Sequence, residues 1–537
     1  MSTHHRHEGT APSLGHLMCD LAADHPNDPA LITLERQATY GEIWARAQEI
    51  ATYLTSENIG PDSPVAVLVE NSVEWLEIAV GISVVGARLV ALSTWVEQWD
   101  LERLLASAQP EMLFVSTTVR GGEVVDILHS VLPELGSGDE PRFANCPSLR
   151  RIVAVGPRTV PGTTPYNTLR TRKPYSSGPQ ARPSDIGLIL FSSGSTSAPK
   201  GVALVNEDII VNATAIGDRL GLSDSDRLFV PMPFFWAMGG PNGMMAALTH
   251  RSTLVTLPKF EPGAALDLFE THRCTGLYTM PNMTRAILDH SDFTADRVST
   301  LCKGITVGSP AEVQLAINEL RAEQICNVYG SSELYANATV TPHDAPVEDR
   351  LTTNGPPLVG VTIKIVDPDT RDELSAGEIG EICAAGRVAA GYIQPDGSIR
   401  PIADESGYFA TGDLGFVNER GWLTYVGRAT DMIKTRGINV SPVEVEEFLC
   451  TNPSVVSALA YGIDDAKYGQ ALVAVVVPEL EADVDEESLR RWCKGKVASY
   501  KIPKHVVVVD ELPTTQTGKI SRSIAKARFH AVTSNKS

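Results

Sequence analysis

The sequence predicts an α/β protein: a large N-terminal domain with two sheets layered with helices, then a small α+β domain. Three observations carry that expectation. Short apolar runs alternate with amphipathic stretches from residue 64, and the same alternation recurs from residue 227. After about residue 355 the pattern turns β-rich, before a smaller αβ unit from about 431. Strands separated by single helices build parallel sheets through right-handed crossovers. At 537 residues the chain is long enough for more than one domain.

In the first block PVAVLVE (64–70) reads as a buried strand, VEWLEIAVGISVV as a helix and RLVAL as a strand. EQWDLERLLASA is then a helix and EMLFVS a strand. The stretch 117–185, rich in Gly, Pro, Ser and Arg, is expected to be loops. The second block runs RLFVPM, PNGMMAALT, TLVTLP, AALDLFETH, GLYTM, MTRAILDH, GITVGS and AEVQLAINEL, strand and helix in turn. VTIKIVD, GEIGEICAAG and GWLTYVG then form β segments with Gly-containing turns. The last unit holds SPVEVEEFLC and EESLRRWCKGKV as helices, with VVSALAYG, ALVAVVVP and HVVVVDEL as strands. The tail after Arg522 is expected to be loosely held.

Composition removes several function classes. A formal charge of −20 argues against a nucleic-acid or anionic-membrane surface as the main partner. The most membrane-like stretch, from Trp75 to Leu92, is interrupted by Glu77 and Arg88, so it reads as a core helix running into a strand and not as a span. The eight cysteines are scattered without a Cys-x-x-Cys pair, which argues against a disulfide framework or zinc site and fits a reducing cytoplasm. The start, MSTHHRHEGT, lacks the apolar core of a secretory signal, and His4, His5 and His7 read as a frayed polar terminus.

The first chemical signal is FSSGSTSAPKG (191–201), directly after the apolar strand IGLIL. Its Ser, Thr and Gly residues let the backbone curl around an anion and offer hydroxyls and N–H groups, and Lys200 adds a positive charge. It is not a Walker A loop. A Ser/Gly-rich turn alone also suits a linker; its place at the carboxyl end of a strand, where α/β proteins bind ligands, favours function.

SSGSTSAPKG closely resembles the phosphate loop of the adenylate-forming superfamily: acyl- and aryl-CoA synthetases, nonribosomal-peptide adenylation domains and luciferases. Four further motifs follow in that superfamily's order. NVYGSSE (327–333) looks like its Tyr-Gly-x-Thr-Glu element, and YFATGDLG (408–415) its Thr-Gly-Asp. GRATDMIKTRGINVSPVEVE (427–446) is similar to the hinge and the segment after it, and LPTTQTGKISR (512–522) to the C-terminal lysine motif. The resemblance covers most of the chain from Tyr40. It implies a small β-barrel-like part within the large domain (1–427), a hinge at 428–431 and a mobile C-terminal domain (432–537).

It also implies roles that the chemistry supports. Joining a carboxylate to ATP brings two anions together, so catalysis must be positioning and charge neutralisation. Ser192, Ser193, Gly194, Ser195, Thr196 and Lys200 would hold the β- and γ-phosphates. Glu333 resembles the carboxylate for Mg²⁺, a hard cation that needs oxygen donors. Asp413 resembles the ribose-binding carboxylate, and Arg428 would add a charged fork near the ribose and α-phosphate. Tyr329 and Gly330 would wall the adenine and acyl-adenylate, with Ser309 and Pro310 nearby and Asn327, Ser331 and Ser332 from the same motif. Lys519 resembles the mobile lysine that stabilises charge growing between carboxylate and α-phosphate. Three positions depart from the family pattern: Ser332 replaces the usual Thr, Gln470 a common Glu, and Thr430 the usual hinge Asp or Lys, with Asp431 beside it.

Members of the superfamily that take amino acids carry an Asp in the segment that here reads PMPFFWAMGG (231–240). Without that counter-ion an ammonium is costly to bury, which favours an apolar acyl or aryl acid. Phe235, Trp236, Met238, Gly239 and Gly308 are the expected pocket wall. The segment 434–447 looks like the CoA-synthetase version, so Lys434, Arg436 and Gly437 are expected to approach coenzyme A. The reading is therefore an acid–thiol ligase using ATP, Mg²⁺ and coenzyme A. Alternatives are a stand-alone enzyme loading an acyl carrier protein and a non-catalytic adenylate-binding protein. The acid, and whether the chain forms a homodimer, are left open.

Overall fold

The computed structural model describes residues 11–96, 98–119, 122–137, 142–170, 174–192, 200–394, 396–435, 438–440, 442–465, 469–480, 482–494, 496–497, 501–515 and 520–534. His4, His5 and His7 lie outside them. Two compact units are present, Met1–Thr362 with Ala384–Phe409, and Ile363–Cys383 with Ala410–Ser537. That division by packing lies upstream of the 427/428 boundary expected from the motifs.

The first unit holds the two sheets. A nine-stranded sheet has a parallel body of Ile186–Ser192, Arg88–Ala91, Pro64–Leu68, Met112–Ser116, Arg151–Val155 and Thr164–Pro165 in spatial order. Lys200–Val205, Gly391–Ile393 and Ile399–Arg400 continue it antiparallel at one edge. An eight-stranded sheet runs Thr339–Val340, Gln324–Tyr329, Lys303–Thr306, Gly276–Tyr278, Arg227–Phe229, Thr253–Val255, Pro29–Ile32 and Gln37–Thr39. Pro29–Ile32 pairs parallel with Thr253–Val255, Leu31 opposite Leu254. Strands covered on both faces read as unbroken apolar runs, which is why both blocks were visible in the sequence.

The region 117–185 holds more structure than the loops expected. It contains the helix Val124–Val131 and the strand Arg151–Val155, which extends the parallel sheet with Ser116 opposite Val155. PNGMMAALT is helical in two parts: Met238–Met244 is a wide π-type turn around Pro241, and α geometry begins only at Met245–Thr249. Pro241 lacks the N–H that a regular ladder needs, which accounts for the wide turn.

The second unit holds most of a four-stranded sheet of Val361–Val366, Gly380–Gly386, Tyr408–Val417 and Leu423–Arg428. It also holds a five-stranded sheet in which Gly469–Pro478 pairs with Val455–Asp465, His505–Val508 and Ile433–Thr435. The tail after Arg522 is not loose. Arg522–Ser534 is a helix whose Ala525 and Phe529 are buried against Leu459, Tyr461, Val473 and Val475. Arg522 at its start grips both oxygens of Glu446 at 2.7 Å, donates to the Ala460 carbonyl at 3.1 Å and lies 3.5 Å from Asp431.

Trp75–Leu92 is the helix Val73–Val84 followed by the strand Arg88–Ala91. Among the described residues no helix is long and apolar enough to cross a membrane. Glu77, only 2% exposed, accepts from the Tyr166 hydroxyl at 2.5 Å and pairs with Arg36 at 3.1 Å. Burial pushes its carboxyl above the ordinary 4.5, against the lowering effect of Tyr166 and Arg36. The folded state therefore disfavours the ionised form, and that penalty is absent below pH 4.5 and grows as pH rises through the raised folded value. Glu77→Gln removes it: in urea unfolding at pH 4.5 and 7, the variant should gain on the wild type at the higher pH.

Candidate functional site

The strands flanking the expected phosphate loop, Ile186–Ser192 and Lys200–Val205, pair antiparallel with Ser192 opposite Lys200. Residues 193–199, which include Ser193, Gly194, Ser195 and Thr196, lie outside the described residues, as does the side chain of Ser192.

NVYGSSE occupies the end of the strand Gln324–Tyr329 and the turn Ser332–Leu334. The turn folds back closely: a Cβ on Gly330 would lie 2.0 Å from the Ala336 carbonyl oxygen, so only glycine fits there. Tyr335 and Ala336 continue it in left-handed conformation, φ 55° and 80°. Glu333, half-buried in this turn, accepts a hydrogen bond from the Tyr392 hydroxyl at 2.9 Å on Oε1. Its Oε2 has no partner among the described residues. The Lys200 ammonium stands 5.4 Å from the centre of the Tyr392 ring. Tyr392 thus touches both Glu333 and Lys200, and no motif pointed to it.

The other residues expected to bind nucleotide differ in their surroundings. Tyr329 is buried in the strand and Ser331 Oγ is a buried hydroxyl without a hydrogen-bond partner among the described residues. Asn327 is internally engaged: its side-chain oxygen accepts from the Val328 amide at 2.9 Å and from Asn354 at 3.3 Å. Ser309 caps the helix Pro310–Glu319 in a capping box with Glu312. Those bonds give Asn327 and Ser309 structural duties whatever else they do.

In the second unit Asp413 and Arg428 face each other on paired strands, with Nε 2.8 Å from the nearly buried Asp413 carboxylate. Gly412 precedes Asp413 at φ 73°, and its amide donates to Glu381 at 3.0 Å. Arg428 leads into the short turn Ala429–Asp431, and Asp431 is the residue within reach of Arg522. Lys519, Arg436 and Gly437 lie outside the described residues, as do the side chains of Thr430 and Lys434.

The aromatic segment splits by packing: Phe234 and Phe235 are buried, and Trp236 is half-buried. Phe234 is fully buried and packs edge-on to Trp75 at 5.2 Å, a core contact. Phe235 and Trp236 instead meet Trp95 at 5.4 and 4.7 Å, both edge-to-face. Trp95 follows the carboxyl end of the strand Arg88–Ala91, and that position was its only signal in the sequence. Gly239 presents no face to a cavity: a Cβ there would lie 2.1 Å from the Pro233 carbonyl oxygen. A Cβ on Gly308, φ 140°, would lie 2.4 Å from the Glu312 carboxylate.

Comparison with known proteins bears on the family and the fold. Residues 20–393 match the model of the AMP-binding enzyme family, and 444–519 that of the AMP-binding enzyme C-terminal domain. YngI of Bacillus subtilis (strain 168), itself provisionally described as an acyl-CoA synthetase, is 30% identical over 95% of this chain and 96% of its own. The human mitochondrial medium-chain acyl-CoA ligase ACSF2 is 27% identical over 93% of this chain and 84% of its own. The crystal structure of ATP-bound MatB from Rhodopseudomonas palustris superposes with a TM-score of 0.84 at 25% identity, covering 97% of this chain and 99% of that one.

Because the space at Gly239 is filled by backbone, Gly239→Ala should destabilise the first unit by about 2 kcal/mol or more. Thermal unfolding should register that loss; Trp236→Ala, at a half-buried ring against Trp95, should also lower the melting temperature and, if Trp236 lines the acid pocket as expected, alter which acids are accepted.

Proposed function

We infer the reaction of this chain, which belongs to the AMP-binding enzyme family, to be ATP-dependent activation of an apolar carboxylic acid and its transfer to coenzyme A. One observation carries the reading: both family models match in order along the chain, at 20–393 and 444–519, and the relatives matched over nearly its whole length are acyl-CoA synthetases and ligases. The acid is inferred to be apolar from the Trp95–Phe235–Trp236 cluster and from the absence of any carboxylate in 231–240. The medium-chain acids of the ACSF2 enzymes are the first class to try.

In the first half-reaction a carboxylate oxygen attacks the α-phosphorus of ATP, the bond to the β-phosphate bridging oxygen breaks, and pyrophosphate leaves. The hairpin loop ending at Lys200 would hold the β- and γ-phosphates, and Lys519 would stabilise the charge building between acid and α-phosphate. Asp413 would accept from the ribose hydroxyls. Ser331 Oγ, a buried donor without a partner among the described residues, would be available to the adenylate.

Glu333 fits a carboxylate for Mg²⁺. One oxygen is fixed by Tyr392 and the other is open, and no group of three or more His, Cys, Asp or Glu converges among the described residues. A single carboxylate suits an ion held mainly by substrate phosphates and water. When bound, Mg²⁺ would supply charge neutralisation on the phosphate oxygens.

In the second half-reaction the coenzyme A thiol, having lost its proton, attacks the acyl carbon; the mixed anhydride breaks and AMP leaves. A turn at 428–431 would withdraw Lys519 and bring Lys434, Arg436 and Gly437 to the adenylate, rebuilding one site between steps.

Two measurements test this. Lys519→Ala should lower acid-dependent pyrophosphate release by about 10²–10³-fold while sparing thioester formation from supplied acyl-AMP; equal loss in both halves would refute the division of labour. Across a panel of fatty, aryl and amino acids, pyrophosphate release should rise on adding coenzyme A with an apolar acid. Release indifferent to coenzyme A would favour carrier-protein loading, and silence across the panel would favour a non-catalytic binder.

A further inference from the structure

Tyr392 lies outside every motif, yet it joins the two charged groups on which the first half-reaction depends. Its hydroxyl donates to Glu333 Oε1 at 2.9 Å, and its ring centre is 5.4 Å from Lys200 Nζ. The contacts follow from the sheet. Val202 stands opposite Tyr392 in the antiparallel pair, so the residue two before it, Lys200, is on the same face and diagonal to the ring.

The surrounding backbone is stitched in the same way. The Ala389 amide donates to the Glu333 carbonyl at 2.8 Å and the Ala390 amide to the Ala203 carbonyl at 3.0 Å. The segment 389–393 therefore binds the Glu333 turn by one main-chain and one side-chain bond, and the phosphate hairpin by strand pairing. Arg400, opposite Tyr392 on the next strand, puts its guanidinium 5.6 Å from the same ring, so the phenol is braced from the outer side of the sheet as well.

We propose that Tyr392 is a positioning residue that holds the metal carboxylate Glu333 and the phosphate-loop cation Lys200 in one register. The inference rests on the reading of Glu333 as the metal carboxylate. A carboxylate free to rotate must be ordered each time a metal–nucleotide complex binds. One with Oε1 already fixed presents Oε2 in a set direction. Groups that orient a metal ligand in this way are commonly worth 10–100-fold in metal affinity. The ring contributes separately, since a cation beside an aromatic face is held without being neutralised and keeps its charge for the phosphates.

The two contacts can be separated. Tyr392→Phe removes the hydroxyl and keeps the ring, whereas Tyr392→Leu removes both. Mn²⁺ is titrated into the full-length enzyme with α,β-methylene-ATP, and free Mn²⁺ is followed by electron paramagnetic resonance. Binding of the nucleotide analogue in EDTA is measured in parallel by calorimetry. Tyr392→Phe should weaken Mn²⁺ about 10-fold and leave metal-free nucleotide binding unchanged, while Tyr392→Leu should weaken both. Adding Tyr392→Phe to Glu333→Gln should cost nothing further in Mn²⁺ affinity, because the hydroxyl acts only through that carboxylate.

Unchanged Mn²⁺ affinity in Tyr392→Phe, with Glu333→Gln clearly impaired, would overturn the role of Tyr392 and leave the metal reading standing. Unchanged affinity in Glu333→Gln would overturn both. Melting temperatures within a few degrees of wild type show that the variants fold.

Discussion

Two anions must be brought into contact, and that repulsion sets the terms for the rest of the molecule. A chain of net charge −20 deepens the difficulty, because its overall field repels both ATP and the acid. The proposed answer is local. Lys200 opens a strand paired on both sides within the nine-stranded sheet, and Arg428 is aligned by strand pairing with the nearly buried Asp413. Lys200 is held by strand pairing beside the Tyr392 ring and Arg428 by its ion pair with Asp413, so on the proposed reading little in either unit has to be reordered when charge develops.

Much of the scaffold could be read from residues alone, for a physical reason. Strands such as Pro64–Leu68 and Met112–Ser116 are buried on both faces and so appear as unbroken apolar runs, and the helices between them alternate at a different period. Arg151–Val155 was lost among Gly, Pro and Arg residues, because one short run has no period to recognise. The helix Arg522–Ser534 was lost for another reason. Its anchors among the described side chains are Ala525 and Phe529, and its ion pair joins Arg522 to Glu446, 76 residues away in sequence.

The site divides in the same manner. Groups proposed to meet substrate stand in compact local motifs, so Glu333, Asp413 and Lys200 can be read together with their neighbours. Groups that act through a partner have no such signature. Tyr392 lies 59 residues from Glu333, and the strand order of the sheet, which a one-dimensional pattern does not contain, brings them together. Trp95 belongs with Phe235 and Trp236 for the same reason. Conversely, Asn327 sits in a motif but spends its side-chain oxygen on Val328 and Asn354, so a motif position and an open functional group are different things.

The pairing of Leu31 with Leu254 bears on how the chain is made. During synthesis the strand Pro29–Ile32 emerges long before its parallel neighbour Thr253–Val255. At translation rates of roughly 5–20 residues per second, the early strand waits on the order of 10–40 s for its partner. Through that interval the segment can pair natively only with the adjoining antiparallel strand Gln37–Thr39, and its other edge stays open. The eight-stranded sheet is thus sealed late, and the nascent N-terminal region is where holdase chaperones have the longest opportunity to act.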